Sequence, residues 1–175
     1  MQNKTVKMQV MAALFAAVCA VLAQITIPIQ PVPITLGSMG VFMAGGFLGK
    51  RYGFLALVIY LLLGAAGLPV FSMLRGGLQV FAGPSAGFII GYAPMAFVIG
   101  WFAEKFGYKF FNMVIAIFLG NIICYALGII WFMYLTHTGF WASLAVCVYP
   151  FIPGDILKII TAAFLVSRYK KALLG

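Results

Sequence analysis

In the stretch Tyr149 to Phe164, YPFIPGDILKIITAAF, an acid, Asp155, and a base, Lys158, stand three residues apart in an otherwise apolar segment. At helical spacing, positions i and i+3 share one face, so the two side chains form an adjacent hydrogen-bond acceptor and donor. Pro153 suits the first turn of a helix, and Asp155 then lies near the positive end of the helix dipole, which favours its ionised form. A charge near the middle of a membrane-spanning helix costs roughly 2.5 to 3.5 kcal/mol on insertion scales. Two arrangements offset that cost: a salt bridge that merely neutralises itself, or a pair that faces a cavity and binds a polar ligand group. Intramembrane charges usually mark a pathway or a site, so the second is the working expectation.

A second polar region reads GAAGLPVFSMLRGGLQVFAGPSAGFIIGY, residues 64 to 92. Gly83, Gly87 and Gly91 recur every fourth residue, giving a helix a flat edge for close backbone approach. Gly76 and Gly77 allow tight turns. Gln79 supplies an amide that both donates and accepts, and Arg75 offers a fork that suits a carboxylate or a surface anchor. Gly83-Pro84-Ser85-Ala86-Gly87 also spells G-x-S-x-G, which calls for comparison with rhomboid-like intramembrane proteases. Such chemistry needs a histidine base beside Ser85, and the single histidine, His137, falls in a loop. Ser85 after Pro84 reads more simply as a helix N-cap. Cys19, Cys124 and Cys147 are odd in number and lack CxxC spacing, so free thiols and no metal site are expected.

The elements that must carry these residues belong in a bilayer. Of 175 residues, 65% are hydrophobic and 7% charged, against about 25% charged in soluble domains. The net charge of +9 is no nucleic-acid signal, because the 11 Lys and Arg are scattered in ones and twos between apolar runs. Six apolar stretches, about 8–25, 34–48, 52–66, 84–103, 110–135 and 153–168, predict an all-α bundle of six transmembrane helices in one domain, 1–175. The first is long and is followed by further spans, so it is read as a helix rather than a signal peptide. The second and third are short for a ~30 Å hydrocarbon core and call for tilt, bending or partial re-entry. With both termini in the cytoplasm, every Lys and Arg except Arg75 and Lys158 falls on the inner side. Counting back from Arg168 at ~1.5 Å per residue places Asp155 ~20 Å and Lys158 ~15 Å away, in the outer half of the membrane. In the first helix Ala12, Ala16 and Ala20 form a small-residue ladder, with Ala13 and Ala17 beside it; a ladder of this kind serves an internal or an external helix partner.

Four ordered segments carry a resemblance: PVPITLG at 31–37, GLPVF at 67–71, GGLQVFAGPSAGFIIGY at 76–92 and PGDILK at 153–158. Across nearly the whole chain the sequence resembles the BioY family, the biotin-binding S components of energy-coupling factor transporters. It departs from the family pattern at Gly37, where Gln is usual, and at Ser85 and Phe88, where Thr and Tyr are. The resemblance implies a non-enzymatic, multi-pass subunit of a prokaryotic cell membrane, surrounded by lipid and needing no cofactor. Such a subunit captures biotin below the loop between the first two helices. It also implies partners: a T component docked on the ladder of Ala12, Ala16 and Ala20, and two cytoplasmic ATPase subunits. No G-x-x-x-x-G-K-[ST] motif occurs in this chain, so hydrolysis falls to those other subunits. The resemblance further assigns Asp155 and Lys158 to the ureido ring. That chemistry is sound, since a ureido group offers two N–H donors to a carboxylate and one carbonyl to an ammonium. Gln79, Thr35 and Tyr149 are the next expected polar contacts, and Arg75 is expected to meet the valerate carboxylate. An S component for another vitamin and an intramembrane hydrolase are the competing expectations.

Overall fold

The computed structural model describes residues 2–174. Its helices are α1 (Gln2–Gln24), α2 (Gly37–Ala65), α3 (Ala86–Phe106), α4 (Phe110–Thr136), α5 (Phe140–Cys147) and α6 (Ile152–Leu174). Among the described residues, five helical stretches are long and apolar enough to cross a membrane: Lys4–Gln24, Gly37–Ala65, Ala86–Phe106, Phe110–Thr136 and Phe140–Leu173. The chain is a multi-pass membrane protein.

α2 joins the stretches expected at 34–48 and 52–66, and it is broken where they meet. Gly49 takes φ 78° and ψ −177°, a backbone conformation that a Cβ would strain. The chain reverses there. A Cβ on Gly53 would stand 2.9 Å from the Cα of Gly45, whereas eight residues of straight helix would separate them by ~12 Å. The two arms of α2 therefore lie side by side. Glu104 of α3 holds the turn, its Oε1 accepting from the Lys50 backbone N–H at 2.9 Å and its Oε2 lying 3.4 Å from Lys50 Nζ.

α2 packs broadly on α1 and α3, α3 packs on α4, and α6 lies against both α2 and α4. α6 thus presents one face to two neighbours, which is the arrangement its charged pair requires. The helix extends past the expected end at 168 to Leu174, and α3 runs to Phe106 rather than 103. Gly107, with φ 91°, stops α3, and its N–H bonds the carbonyl of Ala103. Ser85 is the N-cap residue of α3, through its carbonyl rather than its hydroxyl, accepting from the N–H groups of Phe88 and Ile89.

The connections are more structured than their composition suggests. Between α1 and α2, β1 (Thr26–Ile27) pairs antiparallel with β2 (Ile34–Thr35), which lifts the proline-rich segment 28–33 into a loop. Between α2 and α3, short 3-10 turns occupy Ser72–Leu74 and Leu78–Ala82. Gln24 ties that segment to α1: its Oε1 accepts from the Leu74 N–H at 3.0 Å and its Nε2 donates to the Phe71 carbonyl at 3.2 Å. The Tyr60 hydroxyl adds a bond to the Val70 carbonyl at 3.1 Å. The stretch between the expected spans 110–135 and 153–168 contains α5, whose apolar sequence FWASLAVC has no Gly or Pro to interrupt a helix. Cys19, Cys124 and Cys147 are buried free thiols.

Candidate binding site

The first two turns of α6 bring Asp155 and Lys158 to the face packed on α2 and α4, where they are 6% and 7% exposed. Asp155 Oδ1 and Lys158 Nζ stand 2.9 Å apart. Asp155 Oδ2 accepts from Asn121 Nδ2 at 3.1 Å and from the Tyr125 hydroxyl, both on α4. Lys158 Nζ donates to Ser38 Oγ, at the start of α2, at 3.1 Å. A carboxylate has about four lone-pair positions and an ammonium three N–H groups. Among the described residues, these bonds leave one acceptor position on Oδ1 and one donor on Nζ, side by side.

Both side chains line a cavity of about 50 Å³. Its aromatic wall is formed by Phe88, Tyr92 and Phe151, and its roof by Val32 and Pro33 of the loop between β1 and β2. A second cavity of about 40 Å³ shares Val32, Pro33, Thr35, Phe88 and Tyr92 and continues to Tyr60 and Phe71. The two form a slot with an ionic end and an aromatic end. Each falls below the ~300 Å³ at which pockets for drug-sized ligands begin, so entry of such a ligand requires the roof or the aromatic side chains to move. Beyond the roof lies a larger pocket of about 290 Å³, lined by the prolines of the loop together with Met73, Arg75 and Pro84. Pro33 borders all three spaces.

Of the residues singled out in the sequence, Asp155, Lys158 and Thr35 come together here. Thr35 Oγ1 also accepts from the Gly37 N–H at 3.0 Å and so shapes the start of α2. Arg75 lies outside the roof, exposed, with its guanidinium 3.8 Å from Met73 Sδ. Gln79 does not reach the slot: its Nε2 turns back to the Gly76 carbonyl at 2.6 Å, a local bond that holds the exposed 3-10 turn. Tyr149 is 54% exposed and does not line the slot. It begins a 3-10 turn, where three residues complete a rotation, so Phe151 two positions on points inward instead.

The ladder of Ala12, Ala16 and Ala20 also faces inward. Ala12 and Ala16 are 0% and 1% exposed, and Ala20 packs on the same core. Close packing against the first arm of α2 explains this, since a Cβ on Gly40 would stand 3.0 Å from the Cα of Cys19. Ala12 and Ala16 therefore offer no surface to an external partner, whereas Ala20 is half-buried. Ala13 and Ala17 are the exposed small residues, flanked by Val10, Leu14 and Val21.

Asn121, Tyr125, Ser38 and Tyr92 are the site residues the sequence reading passed over. Asn121 and Tyr125 carried a signal: an amide and a phenol four residues apart within a long apolar helix each need a partner. Ser85 lines the second cavity, while His137 is exposed at the C-terminal cap of α4 with φ 55°, and no hydrogen bond links the two among the described residues. A nucleophile and base are not assembled.

The whole chain, residues 1–175, matches the model of the BioY family. It is 41% identical over 161 residues to the biotin transporter BioY of Thermotoga maritima, covering 91% of this chain and 94% of that protein. It is 42% identical over 167 residues to the biotin transporter BioY of Rhizobium etli, with 89% of each covered. The fold matches a crystal structure of the S-component for biotin from an ECF-type ABC transporter with a TM-score of 0.90 and 35% identity. That match covers 98% of this chain and 94% of the other. Full-length agreement in sequence and fold leads to one assignment: the chain belongs to the BioY family.

Proposed function

We propose that this chain is the biotin-binding S component of an energy-coupling factor transporter and takes up biotin across a prokaryotic cell membrane. The observation that carries the reading is the adjacent open donor on Lys158 and open acceptor on Asp155. A cyclic urea presents an N–H beside a carbonyl, and the two sets are complementary. The fused thioether ring is apolar and suits the wall of Phe88, Tyr92 and Phe151. Arg75 receives the valerate carboxylate at the mouth, and Val32 and Pro33 close over the bound ring.

Six membrane crossings follow from counting the two arms of α2 separately, because the reversal at Gly49 returns the chain to the side from which it came. Both termini then face the cytoplasm, in keeping with Lys4, Lys7, Lys50, Arg51 and the basic end of α6 on one side. The subunit performs no chemistry itself. A T component and two cytoplasmic ATPases supply the energy, and the exposed strip of α1 around Ala13 and Ala17 is the surface offered for docking.

Equilibrium dialysis of the purified protein with labelled biotin, thiamine and riboflavin tests the reading. Tight retention of biotin alone is expected. Retention of thiamine or riboflavin in its place would assign the subunit to another vitamin.

A further inference from the structure

At the opposite end of α6 from the ion pair, ~22 Å away by helical rise, Lys109, Arg168, Lys170 and Lys171 gather around a pocket of about 620 Å³ with Tyr108 and Phe110 in its wall. Lys170 forms its fixed side. The ammonium donates to the carbonyls of Phe47 at 3.0 Å and Gly46 at 3.3 Å and lies 3.6 Å from the centroid of the Tyr108 ring. Lys109, Arg168 and Lys171 are exposed, and among the described residues no carboxylate stands within ion-pair distance of them. Glu104 is the nearby acid at this end, and it is engaged with both the backbone N–H and the ammonium of Lys50. Glu104 also acts electrostatically on Lys170, so the uncompensated positive charge of the pocket is that of Lys109, Arg168 and Lys171, set in aromatic walls.

The surface leading into the pocket identifies the kind of anion. On α6, Leu157, Thr161, Phe164, Arg168 and Lys171 follow one another at intervals of three or four residues and so lie along a single face. Leu157 and Phe164 are 68% and 56% exposed. The strip is apolar at Leu157 and Phe164, with the Thr161 hydroxyl between them turned back to the Leu157 carbonyl at 2.8 Å, and it turns cationic at the pocket. A free phosphate or a nucleotide would match only the cationic end, whereas an anion that carries hydrocarbon chains matches the whole strip. Basic pockets between transmembrane helices at the membrane surface suit lipid phosphates for this reason. We propose that this pocket is a binding site for an anionic phospholipid, with the phosphate held by Lys109, Arg168 and Lys171 and an acyl chain lying along Leu157 and Phe164.

The test uses the full chain in neutral detergent and follows its thermal midpoint as phosphatidylglycerol, phosphatidylcholine or inorganic phosphate is added. Phosphatidylglycerol alone is expected to raise the midpoint saturably. The double variant Arg168→Ala/Lys171→Ala is expected to weaken that effect at least about tenfold, while Lys4→Ala/Arg51→Ala, with the same change of charge elsewhere at this end, leaves it unaltered. Equal stabilisation by phosphatidylcholine, or by phosphate alone, would overturn the lipid assignment. An equal loss in both double variants would reduce it to diffuse surface charge. Undiminished phosphatidylglycerol affinity in Arg168→Ala/Lys171→Ala, with loss of co-purifying membrane partners, would make the pocket a protein contact instead. Biotin retention, measured on the same preparations, is expected to be intact in both variants, so the lipid site can fail without touching the proposed transport function. Should the first variant not fold, Arg168→Gln in the same titration, with bound lipid counted by native mass spectrometry, reads the same outcome.

Discussion

Asp155 and Lys158 stand 2.9 Å apart on one face of α6, yet each is also bonded to a different neighbouring helix. Asp155 reaches Asn121 and Tyr125 on α4, and Lys158 reaches Ser38 on α2. The pair is thus the polar clasp of three helices as well as the proposed ligand-binding surface, and removing one partner strands the other charge. Asp155→Asn, which keeps the shape, is expected to weaken biotin binding by about 1–3 kcal/mol, and Lys158→Met by a similar amount. Equilibrium dialysis measures this; unchanged affinity in both variants, with the protein folded, would remove the pair from the site. Lys158→Met should also lower the thermal midpoint. Adding Asp155→Asn should recover part of that stability without restoring biotin binding, which separates the clasp from the recognition.

Arg75 lies outside the roof of the slot, in the pocket lined by the prolines of the loop. If it meets the carboxylate of the ligand there, Arg75→Ala should weaken biotin binding but leave the binding of biotin methyl ester unchanged. The comparison cancels any general disturbance of the loop. Equal losses for acid and ester would show that Arg75 acts by shaping the entrance.

Gly49 is held at φ 78°, and a Cβ there would collide with the Glu104 carboxylate. Gly49→Ala should therefore destabilise the protein by at least about 1–2 kcal/mol, seen as a lower thermal midpoint in detergent. Glu104→Ala should rescue it only in part, because the backbone strain remains after the collision is removed. Glu104→Gln alone keeps an acceptor for the Lys50 N–H and should cost less than about 1 kcal/mol. Full rescue of Gly49→Ala by Glu104→Ala would show that the side-chain collision, not the backbone conformation, sets the need for glycine.

On α1, Ala16 is buried and Ala17 is exposed. Ala17→Trp should block co-purification with the proposed T component while biotin retention stays intact. Ala16→Trp should instead overpack the core, at a cost of about 1–3 kcal/mol or more, and impair both. The opposite pattern would return docking to the inner ladder.

Much of this protein was legible along the chain. Spans could be drawn from apolar runs because a bilayer demands about 20 such residues to cross it. The spacing of Asp155 and Lys158 also showed one shared face before any fold was known. The break at Gly49 falls between the stretches drawn at 34–48 and 52–66, whereas the end of α3 at Gly107 lies past the expected 103.

The tertiary structure decided which face of each helix turns inward. In a soluble helix, polar residues mark the outer face, but lipid tails are as apolar as leucine, so no such contrast separates core from surface here. Ala12 and Ala13 look alike in the sequence, and only the approach of α2 to Cys19 makes one core and the other surface. Tyr149 and Phe151 exchange roles through the pitch of a single 3-10 turn. Asn121, Tyr125 and Ser38, 30 or more residues from Asp155 and Lys158 in the chain, meet the pair only because α6 packs against both α4 and α2. The charged pair and its spacing were properties of the sequence; its partners, its aromatic wall and its proline roof were properties of the packing, since burial in lipid dictates that polar groups find one another without dictating which ones.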